Sequence, residues 1–360
     1  MRKETLFPVL MVAATLAACL LILEAGLRIA SPPPPFDPRL PLHPLVKREL
    51  HPVLRGVSPV SRFTTNKWGM RGDSPPKNWN ESFTIVAVGG STTECFYLDD
   101  SKTWPAQLQQ RLRARHPDSW VGNGGLDGHS TRGHIVLMDK VVRKIKPDMV
   151  IMLAGINDLG YSLENRDIPL NHFERFHLKY WLFGRSRLVQ LLHLWKQVLF
   201  NRVTVIKNTA HGTFEPRPMQ KPESLPARLE EALPSFPAYR ENLKIIIAMA
   251  RQMNVRLLFM TQPLLFDDTP AWRNIEGGMY WIKESDSKVS APTVWKMLDM
   301  FNREMVSVCA GENVPCLDLA SRIPHDERYF YDAAHFTEAG AALVADTVAQ
   351  YLEENRLMPY

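Results

Sequence analysis

Four short clusters carry the residue types that acyl transfer requires. Gly89-Gly90-Ser91-Thr92-Thr93 closes an apolar, β-rich run at 83–88 and places a serine hydroxyl directly after two glycines. Backbone there can approach a substrate closely, although Gly-Gly-Ser is also common in plain loops and the Gly-x-Ser-x-Gly elbow is absent. Asn123-Gly124-Gly125-Leu126-Asp127-Gly128-His129-Ser130 follows the short run Trp120-Val121. Its glycines suit a loop that turns N–H groups toward an oxyanion, or simply a tight loop. Gly155-Ile156-Asn157-Asp158 lies just past a second apolar run, and Asn157 offers either an amide donor to the same charge or a helix cap. Asp332-Ala333-Ala334-His335 spaces a carboxylate three residues from an imidazole, close enough on a turn to fix its tautomer. A surface loop or half of a metal site would show the same spacing.

These clusters need elements to position them. The runs 83–88, 149–153, 255–260 and 314–319 read as strands, and 104–112, 135–145, 239–253, 294–309 and 337–352 read as helices. Helices alternating with short apolar strands imply a parallel sheet covered on both faces, with chemistry at the carboxyl ends of the strands. Each of the first three clusters falls at such an end.

Composition narrows the field. The 360 residues are 45% hydrophobic and 22% charged, which is ordinary for a folded protein. Lys+Arg 43 against Asp+Glu 38 gives +5, too dilute for a nucleic-acid partner. Four cysteines cannot form a disulfide scaffold, and neither Cys-x-x-Cys nor His-Glu-x-x-His occurs. His129 and His134 lie near the glycine cluster without tight ligand spacing, so neither a metal nor a cofactor is expected. Cys309 and Cys316 bracket a turn where a bridge is as plausible as two thiols. Cys95 reads as a small buried apolar residue. Arg71-Gly72-Asp73 and Asn80-Glu81-Ser82 match adhesion and glycosylation patterns by chance.

Taken together and in order, the four clusters resemble the SGNH/GDSL hydrolase family over roughly 63–355, with a poor match between about 160 and 230. Asn66-Lys67-Trp68-Gly69-Met70-Arg71 is similar to the element before the serine block in membrane-anchored bacterial members. The resemblance implies a three-layer α/β/α sandwich with a mainly parallel five-stranded sheet. It implies Ser91 as nucleophile, His335 as general base and Asp332 as the group that orients His335. The N–H groups of Ser91 and Gly128 and the side chain of Asn157 would form the oxyanion hole. Two departures stand out: Gly90 replaces the usual Asp before the serine, and Glu94 stands where a small residue is commoner.

The N-terminus sends the chain to a membrane. Arg2 and Lys3 precede an uncharged run at 5–23, which as a helix spans about 28 Å, enough to cross the hydrocarbon core. A signal anchor, with the N-terminus cytoplasmic and the body periplasmic or extracellular, fits best. A lipoprotein box at Leu16-Ala17-Ala18-Cys19, with lipid on Cys19, and a cleaved signal are the alternatives. The expected division is an anchor at 1–30, a Pro-rich linker at 31–62 and a catalytic domain at 63–360 with a helical insertion at about 160–235. Within that insertion, 171–207 holds basic residues interleaved with Trp181, Phe183, Leu191, Leu192 and Trp195. It reads as a cap over the sheet edge or as an interfacial element on anionic lipid.

The expected function is a serine esterase that hydrolyses or transfers acyl groups, with O-acetyl esters on envelope or exported carbohydrate as the leading substrate. A lipase or phospholipase at the membrane surface is the second enzymatic reading, and an idle polysaccharide-binding scaffold the third. Protein partners and oligomeric state are not legible.

Overall fold

The computed structural model describes residues 3–30, 42–164, 186–200, 202–207, 213, 215–282 and 287–358. Helix α1 (Lys3–Ala30) is followed by β1 (Lys47–His51), β2 (Ser61–Thr64), β3 (Thr84–Gly89) and the single-turn α2 (Ser91–Glu94). Next come α3 (Trp104–Arg113), β4 (Trp120–Asn123) and α4 (Thr131–Leu137), which runs through a π turn at Met138–Val142 into α5 (Arg143–Ile145). Then follow β5 (Met149–Leu153), α6 (Ile156–Leu163), α7 (Arg187–Phe200) and β6 (Thr204–Lys207). The remainder is α8 (Phe236–Met253), β7 (Arg256–Met260), β8 (Glu276–Ile282), β9 (Ser287–Ser290), α9 (Ala291–Glu312), β10 (Cys316–Leu317) and α10 (Glu338–Glu354).

Five strands pair in parallel in the order β10-β7-β5-β3-β4. Every residue of β3, β4 and β5 is buried, as the uninterrupted apolar runs require of strands covered on both faces. The chain steps from β3 to β4 on one side and then back across β3 to β5, β7 and β10. Right-handed crossovers in these two directions put α3 on one face and α4, α8 and α9 on the other. Helix α10 joins α3 to complete its layer, while α8 packs on α4 and α9. The result is the expected three-layer α/β/α sandwich.

Local signals set the boundaries. Thr103 caps α3 through a bond from Ala106 N at 3.3 Å, and Thr337 caps α10 through Gly340 N at 3.1 Å. Asn254 ends α8 in the left-handed region at φ 55°. The strand read at 314–319 shrinks to two residues, Cys316 and Leu317, which pair with Phe259 and Met260. Pro315 has no N–H to extend that ladder.

A second sheet was not legible. Within the stretch read as a proline spacer, β1 pairs antiparallel with β2 and parallel with β6. The prolines at 44 and 52 flank β1 without interrupting it, and its Leu50 is fully buried. Residues 31–41 and 165–185, including Trp181 and Phe183, lie outside the described residues. Phe7–Ala30 of α1 is long and apolar enough to cross a membrane, with a mean hydropathy of 2.3, a property that membrane spans and signal sequences share. All four cysteines are free thiols. The Cys309 thiol is hydrogen-bonded to Cys316, and this contact together with burial raises its pKa.

Candidate active site

Strand β3 lies where the chain reverses direction across the sheet, the position at which open parallel sheets leave a crevice at their carboxyl ends. Ser91 opens α2 immediately past it. Its Oγ lies 2.7 Å from His335 Nε2, and His335 Nδ1 lies 2.7 Å from Asp332 Oδ2. The other Asp332 oxygen accepts from Ala334 N at 3.0 Å and His335 N at 2.8 Å, so the carboxylate organises the turn that presents the imidazole. Tyr331 stacks on the His335 ring at 5.6 Å with the planes 6° apart. A carboxylate facing Nδ1 places the proton there, which leaves the Nε2 lone pair to accept from the Ser91 hydroxyl.

The electrostatics agree with that arrangement. Burial alone would lower the pKa of His335, but the Asp332 charge and hydrogen bond outweigh it, aided by Asp127 and Glu94, and hold the imidazole above its ordinary value. Burial likewise works to raise Asp332, yet the His335 charge and the hydrogen bonds keep the carboxyl below its usual range. Glu94 is pushed up to about 7 by burial and then by the Asp127 charge. Its Oε2 accepts from Asp127 N at 3.1 Å.

The glycine and asparagine clusters converge on the same place. Asn157 Nδ2 donates to His129 O at 2.9 Å, which uses one of its two hydrogens. A β-carbon on Gly90 would fall 2.2 Å from that nitrogen and 3.2 Å from His129 O, so a larger residue there requires the Asn157 amide to move from this position. Gly128 has φ +69° and its carbonyl accepts from Tyr161 Oη at 3.0 Å. Asn123 ties the glycine loop to the serine turn, donating to Thr93 O at 2.8 Å and accepting from Gly125 N at 2.9 Å. All five residues singled out from the sequence are thus gathered at the carboxyl ends of β3, β4 and β5 and on the loop after β10.

Two supports escaped the sequence reading. Thr92 Oγ1 bonds Gln262 Oε1 at 3.1 Å and fastens α2 to the end of β7. More extensive is Arg71, whose side chain is 2% exposed. Its Nε donates to Asp100 Oδ1 at 2.9 Å, Nη1 to Glu94 O at 2.8 Å and to Cys95 O, and Nη2 to Arg62 O at 3.2 Å and to Leu98 O. All five guanidinium donors are used, four of them on main-chain carbonyls, and its backbone N–H bonds Asn123 O at 2.9 Å. The element at 66–71 signalled its presence but not this role. His129 and His134 are held neutral by burial, which lowers them to about 4 and about 3. No group of three or more His, Cys, Asp or Glu suited to a metal ion occurs among the described residues.

A sandwich of this layout with a hydrogen-bonded serine, histidine and aspartate at its carboxyl edge defines a class of acyl hydrolases. A profile of the GDSL-like lipase/acylhydrolase family matches residues 87–343, a span that contains Ser91, Gly128, Asn157, Asp332 and His335. The chain belongs to this family. Over 75 residues it is 32% identical to esterase TesA of Pseudomonas aeruginosa, a match that covers 21% of this chain and 37% of that relative. Among solved structures, a lipase/acylhydrolase from Enterococcus faecalis is similar at 16% identity and TM-score 0.42, covering 76% of this chain and 96% of that one. Axe2, an acetylxylan esterase from Geobacillus stearothermophilus, is similar at 16% identity and TM-score 0.42, covering 76% and 93%.

Proposed function

We propose that the chain is a membrane-anchored serine esterase that cleaves or transfers acyl groups through an acyl-enzyme. The unbroken hydrogen-bonded line from Asp332 through His335 to Ser91 carries the reading. His335 Nε2 takes the Ser91 proton as Oγ attacks the ester carbonyl, and Asp332 stabilises the imidazolium that forms. The oxyanion is received by the N–H groups of Ser91 and Gly128 and by the second amide hydrogen of Asn157. Each such donor contributes about 2.7–4 kcal/mol to lowering the barrier. His335 then returns the proton to the leaving alcohol. Water resolves the acyl-enzyme in a hydrolase, and a sugar hydroxyl does so in a transferase.

The outward topology expected from Arg2 and Lys3, with the habit of the family, favours O-acetyl groups on envelope or exported carbohydrate. The exposed apolar surface of α7 favours a second reading, a lipase or phospholipase working at the membrane. Full-length protein in detergent, assayed on acetyl and longer acyl esters with and without a sugar acceptor, separates them. Preference for acetyl over long chains supports the first, a steep gain with chain length the second. Acyl sugar in place of free acid identifies a transferase.

A further inference from the structure

Helix α7 presents a surface that a water-facing element would not keep. Leu192, Trp195, Val198 and Leu199 are 58%, 61%, 65% and 70% exposed, and Leu191 also faces outward. At 100° per residue these five positions form one stripe roughly 120° wide. Gln190 is buried on the opposite side, and Lys196 and Arg202 are exposed beside and beyond the stripe. The surface continues past the helix through Val203 and Val205, which are likewise exposed. A contiguous patch of this kind marks an interaction site.

What covers it is indicated by its attachment. The Glu24 carboxylate of α1 accepts from Ser186 Oγ at 2.9 Å, Arg187 N at 2.9 Å and Leu188 N at 3.0 Å, so it caps the first turn of α7. Arg28 holds the same carboxylate at 2.8 Å. Among the described side chains of α1, only Glu24 and Leu27 are shielded; the rest are exposed. The contact is therefore confined to the last turns of the apolar helix, and α7 leaves it at that level, near its outward end. A bilayer that encloses α1 reaches the start of α7. A helix with an apolar stripe and cations along its border suits the boundary between headgroups and acyl chains.

We propose that α7 is a second membrane contact, lying in the bilayer interface against anionic lipid with Trp195 among the upper acyl chains. This rests on α1 being a membrane anchor. Its consequence is orientation. One span alone leaves the body free to tilt, whereas α7 leads within four residues into β6, which is bonded to β1 and through it to β2. On β2, Arg62 and Thr64 donate to Asp99 and Asp100, and Asp100 in turn holds Arg71. The membrane seat is thus joined by a short bonded path to the turn that presents Ser91.

The test uses the full chain in vesicles of phosphatidylcholine and phosphatidylglycerol, some carrying bromine near the headgroup and others near the bilayer centre. The emission lost in Trp195→Phe reports that residue alone. We expect this component to fall about twofold with shallow bromine and much less with deep bromine, as for a helix seated ~5–10 Å into the interface. Carbonate washing of the same vesicles monitors α1 separately. Protein that stays bound but keeps its Trp195 emission overturns the proposal while sparing the anchor. Protein that washes off removes the anchor and the proposal together. Bound protein in which Trp195 is shielded from bromine and iodide alike, with a dimeric mass, assigns the stripe to a second copy and also overturns it.

Discussion

The amide nitrogen of Asn157 sits 2.2 Å from where a β-carbon on Gly90 would lie. Glycine before the nucleophile therefore lets the Asn157 amide take the position it holds in this structure. Gly90→Ala should push the amide off its bond to His129 O and cost about 10²–10³ in kcat, the typical loss of one oxyanion donor, with KM little changed. Asn157→Ala should cost a similar factor. The double variant should lose little more than either, measured by steady-state kinetics on an acetyl ester. Full multiplication of the two losses would show that Gly90 acts through something other than Asn157.

Ser91→Ala should abolish turnover of a generic acetyl ester while the fold persists by circular dichroism. His335→Ala should do nearly the same at every accessible pH. Because the groups act as a unit, the double variant should fall scarcely below the single ones. Near-wild-type activity in Ser91→Ala would remove it as nucleophile.

The pH profile follows from the charges around His335. The imidazole has to be neutral to accept the serine proton, so kcat/KM should rise with pH through its pKa in the free enzyme. Asp332 favours the protonated ring and holds that pKa above its ordinary value. Asp332→Asn should therefore lower the rate and move the midpoint to lower pH. Glu94→Gln should move it the same way by less, and should remove any second inflection near the value of about 7 to which burial and Asp127 raise this carboxyl. A midpoint that climbs in either variant contradicts the assignment.

Arg71 holds the carbonyls of Glu94 and Cys95 at the end of the serine turn and those of Arg62 and Leu98 beside it. Arg71→Ala strands buried acceptors and the Asp100 carboxylate, and should cost about 3–5 kcal/mol of stability in chemical denaturation. Arg71→Lys keeps a charge for Asp100 but lacks the fork that reaches the carbonyls. At a temperature where it is fully folded, active-site titration should count every serine but report slower acylation. Unchanged acylation would make Arg71 a purely structural residue.

A phosphatase reporter fused after Tyr360 should be active in a bacterial host, and the intact chain should resist carbonate extraction. Release of a shortened soluble form would show cleavage, whereas retention with lipid on Cys19 would show a lipoprotein.

Much of this protein is written locally. The runs at 83–88 and 149–153 become β3 and β5 because uninterrupted apolar residues can only be satisfied in a strand covered on both faces. Periodicity set Ser91, Asn157 and Gly128 at strand ends, whereas the roles expected of them came from the resemblance to the SGNH/GDSL family. The pairing of Asp332 with His335 was suggested by their spacing, three residues apart on one turn, and their expected roles again came from the resemblance. The small sheet was not, since β1 pairs with a strand more than 150 positions later and neither shows a long apolar run. Nor was the task of Arg71, because a buried guanidinium is defined by carbonyls that come from residues 62, 94, 95 and 98. Sequence alone named the candidate chemical groups, through short spacing and an order of clusters that resembles one family. The 2.7 Å that separates Ser91 from His335, 244 residues apart, was decided only by the packing of the sheet and its loops, which depends on contacts no single segment contains.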